Sequence, residues 1–453
     1  MFMKKLPIVA IIGRPNIGKS TLFNTIIGHL KAVTSDTPGT TRDRVYEKGE
    51  WEGYPFIIVD TAGIETDKQI DVIEISMQQQ VQVALEEANY ILFGLDGSTQ
   101  LFPEDRKILK MLYTAGKPFS VFINKIDSHQ KEEEAKHTFQ NFEAVQPYFI
   151  SAKTGKGLEA LLDHLVQELK NIPEKDFSGQ NDDIDLHVAL IGKPNVGKSS
   201  LLNVFMNKEQ VIVSDIPGTT RDSIDVEFTF KGKKIEFVDT AGIRRKARVK
   251  DEIEKFSVFR SLKSIEQADI VLLVIDALEG PSHQDMTISE IALDFKKSII
   301  MIINKWDLVE KDQHTLPSYE AYLRRTFGYL KWVPILFSSA TEKIRTFDIL
   351  NTVYEVGEQR KRKLSTSEFN SLLQHLILKK PPASRNKKLM HPKMYYGTQT
   401  GINPPEFTIF MNKEDILHNS YTRYLENAIR DKYGFLGTPL NIHYRYKSDK
   451  KKS

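Results

Sequence analysis

The sequence predicts an α/β protein of two tandem domains, each a mostly parallel sheet with helices on both faces, followed by a smaller α+β domain. Three observations predict it. Short apolar runs alternate with helix-length segments whose apolar residues recur at a spacing near three to four, the pattern of buried strands joined by covering helices. A series of polar loop segments occurs twice at a near-constant offset. From Arg360 onward these segments stop and the charge changes sign: 19 Lys and Arg stand against 7 Asp and Glu, about +12, in a chain whose net charge is +3.

The repeat organises the elements. VAIIGRPNIGKSTLFNTIIG from Val9 matches VALIGKPNVGKSSLLNVFMN from Val188, an offset of 179. SDTPGTTRD (Ser35 to Asp43) and SDIPGTTRD (Ser214 to Asp222) share that offset, as does VDTAGI from Val59 and from Val238. INKID and INKWD follow at 180, and FISAK and FSSAT at 188, which places extra residues in the second copy between Asp307 and Ser338. A unit of about 170 residues is too long for a solenoid repeat and reads as a duplicated domain. In the first copy Ile8–Ile12, Phe56–Val59, Tyr90–Leu95 and Phe119–Ile123 read as buried strands. In the second the equivalents are Val188–Ile191, Ile235–Val238, Ile270–Ile275 and Ile299–Ile303. The repeated motifs begin at or near the carboxyl ends of these strands, where open α/β sheets hold ligands. The domains expected are residues 1–168 and 185–358, an acidic linker at 169–184, an α+β domain at 359–446 and a basic tail at 447–453.

Composition narrows the classes of function. At 453 residues the chain exceeds one core. It has no cysteine, which excludes disulfides, thiolate metal sites and a cysteine nucleophile, and fits a reducing, cytoplasmic setting. Lys4 and Lys5 precede a short apolar run that leads straight into a Gly-rich loop, so a first strand is expected rather than a leader. No apolar stretch approaches the roughly 20 residues of a membrane span. A basic end on an acidic body points to a polyanionic partner, nucleic acid foremost, with no sign of DNA specificity.

The loops carry the chemistry. Gly13, Arg14, Pro15, Asn16, Ile17, Gly18, Lys19 and Ser20 form a G-x-x-x-x-G-K-S loop, as do Gly192, Lys193, Pro194, Asn195, Val196, Gly197, Lys198 and Ser199. Such a loop turns its N–H groups onto phosphate at a helix N-terminus. Lys19 and Lys198 are expected to reach the β/γ-phosphates, and Ser20 and Ser199 to ligate Mg²⁺. Asp60, Thr61, Ala62 and Gly63, and Asp239, Thr240, Ala241 and Gly242, follow apolar strands. The carboxylates suit the Mg²⁺ shell, and Gly63 and Gly242 suit an N–H to the γ-phosphate. Asn124, Lys125, Ile126 and Asp127, and Asn304, Lys305, Trp306 and Asp307, select the base. A carboxylate there accepts from N1–H and the 2-amino group of guanine, whereas adenine would leave it unpaired. Ser151 and Ala152, and Ser339 and Ala340, would complete the base pocket. The repeated nonapeptide lies where phosphate-hydrolysing switches place a mobile loop whose Thr closes on Mg²⁺. Thr41 and Thr220 are the expected ligands, with the adjacent Thr40 and Thr219 as alternatives.

This ordered set resembles the TRAFAC GTPases, and its tandem duplication with PGTTRD in both copies and a basic C-terminal module resembles the bacterial Der (EngA) family over nearly the whole chain. The resemblance implies GTP hydrolysis in two P-loop GTPase domains, a role in assembling the large (50S) ribosomal subunit, rRNA as a partner and a KH-like C-terminal domain. A monomer is expected. The residues after the DTAG segments, Ile64 and Ile243, cannot orient water as Gln does in Ras. In related GTPases an Asn at the position of Asn16 and Asn195 helps bind K⁺, so K⁺-stimulated hydrolysis is implied; the alternative is an Asn that simply suits the turn after Pro.

RRKARVK follows Ile243 where the first copy has ETDKQ, and reads equally as a surface for rRNA or the C-terminal module and as a solvated face. In the C-terminal domain TSEFNSLLQHLIL reads as a helix capped by Thr366 or Ser367. KMYYGTQT, EFTIFMN and PLNIHYRYK read as strands, and SYTRYLENAIRDKYGF as a helix ending at Gly434. Gly434-Phe435-Leu436-Gly437 matches the GxxG clamp of KH modules, but it joins a helix to a strand and reads as a helix stop and turn. A P-loop ATPase or nucleotide kinase is opposed by both N-K-x-D segments, and a static RNA-binding protein by complete motifs in both copies.

Overall fold

The structure, a computed structural model, describes residues 6–32, 46–61, 77–139, 146–172, 184–206, 212–213, 226–240, 257–382, 392–412, 417 and 419–446. The chain divides into two compact units, residues 1–181 with 251–266, and 182–250 with 267–453.

The first unit holds β1 (Ile8–Gly13), α1 (Lys19–His29), β2 (Lys31–Ala32), β3 (Tyr46–Trp51), β4 (Tyr54–Asp60), α2 (Met77–Glu87), β5 (Tyr90–Asp96), α3 (Pro103–Ala115), β6 (Phe119–Asn124), α4 (His129–Thr138), β7 (Tyr148–Phe149) and α5 (Leu158–Asn171). Its sheet runs β2-β3-β4-β1-β5-β6-β7. Pairings from β4 to β7 are parallel; only β2–β3 and β3–β4 are antiparallel. Every residue of β1 is buried, as a strand covered on both faces requires. Val9, Ile11, Phe56, Ile58 and Leu92 meet Leu158, Leu161, Leu162 and Leu165 of α5 in one core. The helix α5 continues to Asn171, so its last turn occupies positions expected in the linker.

In chain order the second copy has β8 (Leu186–Ile191), α6 (Lys198–Met206), β9 (Ile212–Val213), β10 (Val226–Phe230), β11 (Lys233–Val238), α7 (Ser257–Gln267), β12 (Ile270–Asp276), α8 (His283–Asp294), β13 (Ser298–Asn304), α9 (Thr315–Thr326), β14 (Ile335–Phe337) and α10 (Thr346–Arg360), of which α7 up to Glu266 groups with the first unit. The order is β9-β10-β11-β8-β12-β13-β14, again parallel except at β9–β10 and β10–β11. In both sheets the first long strand lies between the strands that follow it on either side. That is the switch point beyond which loops diverge and leave a crevice.

The C-terminal domain has α11 (Thr366–Lys379), β15 (Met394–Gly401), β16 (Glu406–Met411), α12 (Asn419–Tyr433) and β17 (Asn441–Tyr446). Its sheet, β15-β16-β17, pairs β15 antiparallel and β17 parallel to β16, and one face packs on α11 and α12. The cap of α11 is Ser365, one residue before the expected position. Its hydroxyl accepts from the Glu368 N–H at 3.2 Å, and the Glu368 carboxylate accepts from the Ser365 N–H at 2.9 Å. Gly434 and Gly437 both have left-handed backbone, at φ 86° and 63°. Gly434 ends α12, and Gly437 ties the turn to the second sheet: its N–H donates to the Trp332 carbonyl at 3.1 Å, and its carbonyl accepts from Ile299 at 2.8 Å. This GxxG segment is therefore a docking turn at the amino end of β13, away from the carboxyl-end loops.

Candidate functional site

Both P-loops have the same local build. Gly13 ends β1, Asn16 (φ 64°) and Gly18 (φ 93°) turn left-handed, and α1 starts at Lys19. Gly192, Asn195 (φ 60°) and Gly197 (φ 96°) repeat this before α6. A Cβ on Gly18 would lie 2.5 Å from Asn124 Nδ2, so only glycine fits. The Lys19 ammonium crosses the loop to the Gly13 and Arg14 carbonyls at 2.6 and 2.9 Å and is buried. Lys198 donates likewise to Gly192, at 2.7 Å, and to Lys193. Ser20 is exposed and Ser199 partly buried at the first helical turn, while Ile17 and Val196 point into the core. Pro15, Asn16 and Asn195 are exposed, and Pro194 partly so.

Asp60 closes β4 beside β1, in register with Ile11, and is 2 % exposed. Thr61 is held by a hydrogen bond from its hydroxyl to the Ile11 carbonyl at 2.8 Å. Asp239 differs: it lies past the end of β11 in left-handed backbone (φ 54°) and is partly exposed, with Thr240 buried behind it. Thr41, Thr220, their neighbours Thr40 and Thr219, and Ala62, Gly63, Ile64, Ala241, Gly242 and Ile243 lie outside the described residues, as do the RRKARVK segment and the basic tail.

The base-side loops are joined to the P-loops by one residue in each copy. Asn124 is buried; its Nδ2 donates to the Ile17 carbonyl at 2.7 Å and its Oδ1 accepts from the Ala152 N–H at 2.8 Å. Asn304 makes the same pair, to Val196 at 2.7 Å and from Ala340 at 3.1 Å. Ala152 also accepts from Thr25 Oγ1 of α1 at 2.6 Å. Lys125 and Lys305 adopt left-handed backbone (φ 73° and 60°). Their ammonium groups each sit 2.6 Å from a carboxylate at a strand end, Asp96 and Asp276. Burial opposes ionisation of Asp96, but hydrogen bonds from Lys125 and Ser98 outweigh it and hold the carboxyl below its ordinary range. Ile126 is buried, and Asp127 is half-exposed, paired with Lys131 of α4 at 2.9 Å. Asp307 lies in a 3₁₀ turn, Trp306–Leu308. Ser151 and Ser339 are buried, their hydroxyls accepting from Thr154 and Glu342. Trp306 packs on Phe337 and on Tyr319 of α9, within the stretch where the second copy is longer.

Two carboxylate pairs went unnoticed in the sequence. Asp96 and Asp276 stand 180 residues apart, as do Asp105 and Asp285, and that shared offset was the available signal. Asp105 caps α3 through the Phe102 N–H and accepts from Arg14 Nε at 2.8 Å, with the guanidinium 3.8 Å over the Phe102 ring. Arg14 thus anchors its loop to α3. In the second copy Lys193 is 4.0 Å from Glu279 instead. Asp285 caps α8 through Ser282, and its Oδ1 has no hydrogen-bond partner among the described residues. Burial raises the Asp285 carboxyl above its ordinary value.

Comparison with known proteins agrees with this geometry. A family model described as "50S ribosome-binding GTPase" matches residues 8–125 and 187–305. One described as the C-terminal "KH-domain-like of EngA bacterial GTPase enzymes" matches residues 363–445. GTPase Der of Caldanaerobacter subterraneus is 44 % identical over 96 % of this chain and 97 % of its own length. GTPase Der of Clostridium botulinum strain Loch Maree is 43 % identical over 98 % and 99 %, and that of Alkaliphilus metalliredigens 42 % identical over 98 % and 99 %. With two complete P-loop domains, a KH-like domain and relatives of this closeness along its whole length, the chain is a GTP-hydrolysing enzyme and belongs to the Der (EngA) family of bacterial GTPases.

Proposed function

We propose that this GTPase is a switch acting in biogenesis of the large (50S) ribosomal subunit in the cytoplasm, as a monomer, with two nucleotide sites and a C-terminal module that contacts rRNA. The observation that carries two working sites is the identical Asn bridge, Asn124 and Asn304, which locks the phosphate loop to the base-side loop in both copies. A degenerate copy would have no need to keep that bridge. Membership of a family described as "50S ribosome-binding GTPase", together with the basic C-terminal domain, supports the ribosome as partner.

In this reading the P-loop N–H groups and Lys19 or Lys198 bind the β/γ-phosphates, and Asp127 or Asp307 accepts from guanine. Hydrolysis adds water to the γ-phosphorus and breaks its bond to the bridging oxygen, leaving GDP and phosphate. Ser20 with Asp60, and Ser199 with Asp239, offer one hydroxyl and one carboxylate per site. These hard oxygens fit Mg²⁺, which takes few protein ligands and completes its shell with phosphate and water. Bound there, Mg²⁺ would supply positive charge against the negative charge of the phosphates. Thr41 and Thr220 would join that shell from the switch loops. Asn16 and Asn195 are exposed in both loops and would help hold K⁺, which supplies charge where an arginine finger otherwise acts. GTPase rates unchanged on replacing K⁺ by Na⁺ would remove the K⁺ step.

The test of the whole reading is sedimentation of the protein with ribosomal subunits under a non-hydrolysable GTP analogue, GDP and no nucleotide. Cosedimentation with the large subunit that depends on the nucleotide is expected. Binding that ignores nucleotide, or that prefers the small subunit, overturns it.

A further inference from the structure

The C-terminal sheet has two faces of different character. Phe407 and Ile409 of β16 point into the core with α11 and α12. Strand alternation puts Phe410 on the other face. The register extends that position into a row across all three strands: Tyr396 pairs with Phe410 and Phe410 with Arg445. The Tyr396 and Phe410 rings stack at 4.5 Å and 11°. Between Met394 and Tyr396 the β15–β16 register shifts by a bulge, so Tyr395 is exposed beside Tyr396 instead of turning inward. Tyr395 is 61 % and Tyr396 48 % exposed. A cross-strand aromatic pair alone would be explained by sheet stability. It would not explain a second tyrosine on a bulge in the same row, nor an exposed arginine at its end.

We propose that this row is a stacking platform for unpaired bases of single-stranded RNA. It rests on the reading that this domain meets rRNA, and specifies the place and the mode. Aromatic π-faces accept any base, and a guanidinium in line with them pairs phosphate or stacks in turn. Charge favours RNA over an apolar protein partner: the segment from Arg360 carries about +12, and the row's one ionised side chain is Arg445. The acidic Glu406 lies farther along the face, ion-paired with Lys296 at 3.4 Å.

The experiment uses the full chain and a fluorescein-labelled ten-nucleotide single-stranded RNA of mixed sequence, read by anisotropy, beside the same strand annealed to its complement. The Tyr395→Ala/Tyr396→Ala variant should bind the single strand about ten-fold or more weakly, with the salt dependence kept. The Tyr395→Phe/Tyr396→Phe variant should bind within two-fold of wild type. Arg445→Gln should lower the salt slope by about 0.7, the share of one phosphate contact on a single strand. Unchanged melting temperatures establish that the exposed substitutions leave the fold intact, and Tyr396→Trp offers a stacking-competent replacement should the alanine pair unfold. Affinity within two-fold in the alanine variant, equal loss for duplex, or no single-strand binding by wild type overturns the platform. So does retained RNA affinity with lost ribosomal-subunit binding, which would assign the row to a protein. Sedimentation of the same variants separates the two claims. Nucleotide-dependent subunit binding that survives while the RNA result fails removes the platform alone, whereas lost nucleotide dependence in wild type removes the switch reading.

Discussion

At the scale of single residues, Asn124 and Asn304 matter most, because each is the only described side chain bonded to both the phosphate loop and the base-side loop of its copy. Replacing Asn124 by Ala strands a buried carbonyl at Ile17 and a buried N–H at Ala152, each costing about 1–3 kcal/mol. The expected outcome is a lower melting temperature for the first domain and GTP binding weakened at least ten-fold there, by calorimetry on a protein whose second site is disabled by Lys198→Ala. Melting and affinity like those of the parent would show that the loops hold each other without it. Asp127→Asn tests the base assignment separately. It replaces an acceptor by an amide of the same shape, so GTP affinity at the first site should fall about a hundred-fold or more while stability changes little. Selectivity for guanine over adenine that survives this change would place base recognition elsewhere.

At the scale of elements, the two copies share a plan but not a charge pattern. Asp105 is a buried helix-capping carboxylate with an arginine on it. Asp285 caps the equivalent helix with one oxygen unpartnered among the described residues and a raised pKa caused chiefly by burial. The same substitution should therefore have opposite signs. Asp105→Asn breaks a charge-assisted bond and should destabilise by about 1.5–3 kcal/mol. Asp285→Asn removes a desolvated charge and should be neutral or stabilising by about 1 kcal/mol at pH 7. Because the folded pKa of Asp285 is raised, ionising it weakens the fold as pH rises above the ordinary carboxylate value, and the advantage of Asn should vanish on acidification. Denaturant titrations of both variants at pH 7 and pH 4 check this; destabilisation of equal size in both copies would contradict it.

Most elements were legible in the sequence because parallel strands buried on both faces are continuous apolar runs, and because glycines mark the loops that need left-handed backbone. β3 and β10 were not. In β10 burial alternates along the strand, in β3 only Tyr46 and Gly49 are buried and YEKGEW carries charges at intervals, so neither gives an apolar run. The cap of α11 was misplaced by one residue because Ser365, Thr366 and Ser367 are all competent caps and only the reciprocal bonds with Glu368 choose among them. The loops that make up the site were readable from spacing. The Asn bridge, the Lys125–Asp96 and Lys305–Asp276 pairs and the Arg14 anchor were not, since each joins residues that only the sheet order brings together.

At the scale of the whole molecule, the C-terminal domain and the second α/β domain share a buried polar junction. Arg360, 2 % exposed at the end of α10, donates to Asn403 Oδ1 at 2.6 Å, to Ser298 Oγ at 3.1 Å and to the Lys296 carbonyl at 3.2 Å. Its charge lies 3.8 Å from Asp269. Burial opposes ionisation of Asp269, but the His187 ring and N–H together with Arg360 outweigh it, and the carboxyl is held well below its ordinary range. A lowered folded pKa gives stability that is present above the unfolded value near 3.9 and lost as pH falls through the folded one. Arg360→Met should cost roughly 3–5 kcal/mol, since it takes the counter-charge from buried Asp269 and a donor from each of three hydrogen-bond acceptors. The expected signs are a lower melting temperature and faster proteolysis between residues 360 and 366. A variant as protease-resistant as wild type would show that the Gly437 turn and the apolar contacts hold the junction unaided.

By itself the sequence determined that this protein has two nucleotide-binding domains of one kind and a basic third domain of another. Phosphate loops and base-selecting segments are short stretches of contiguous residues whose chemistry is set by local backbone and side-chain type. Only the tertiary structure decided what couples them. Asn124 and Arg14 reach their partners across the sheet, the turn expected at Gly437 gained its bonds to Trp332 and Ile299, and Tyr396, Phe410 and Arg445 became one row because strand register aligned them. Such juxtapositions depend on pairings between residues far apart in the chain, which no local pattern encodes.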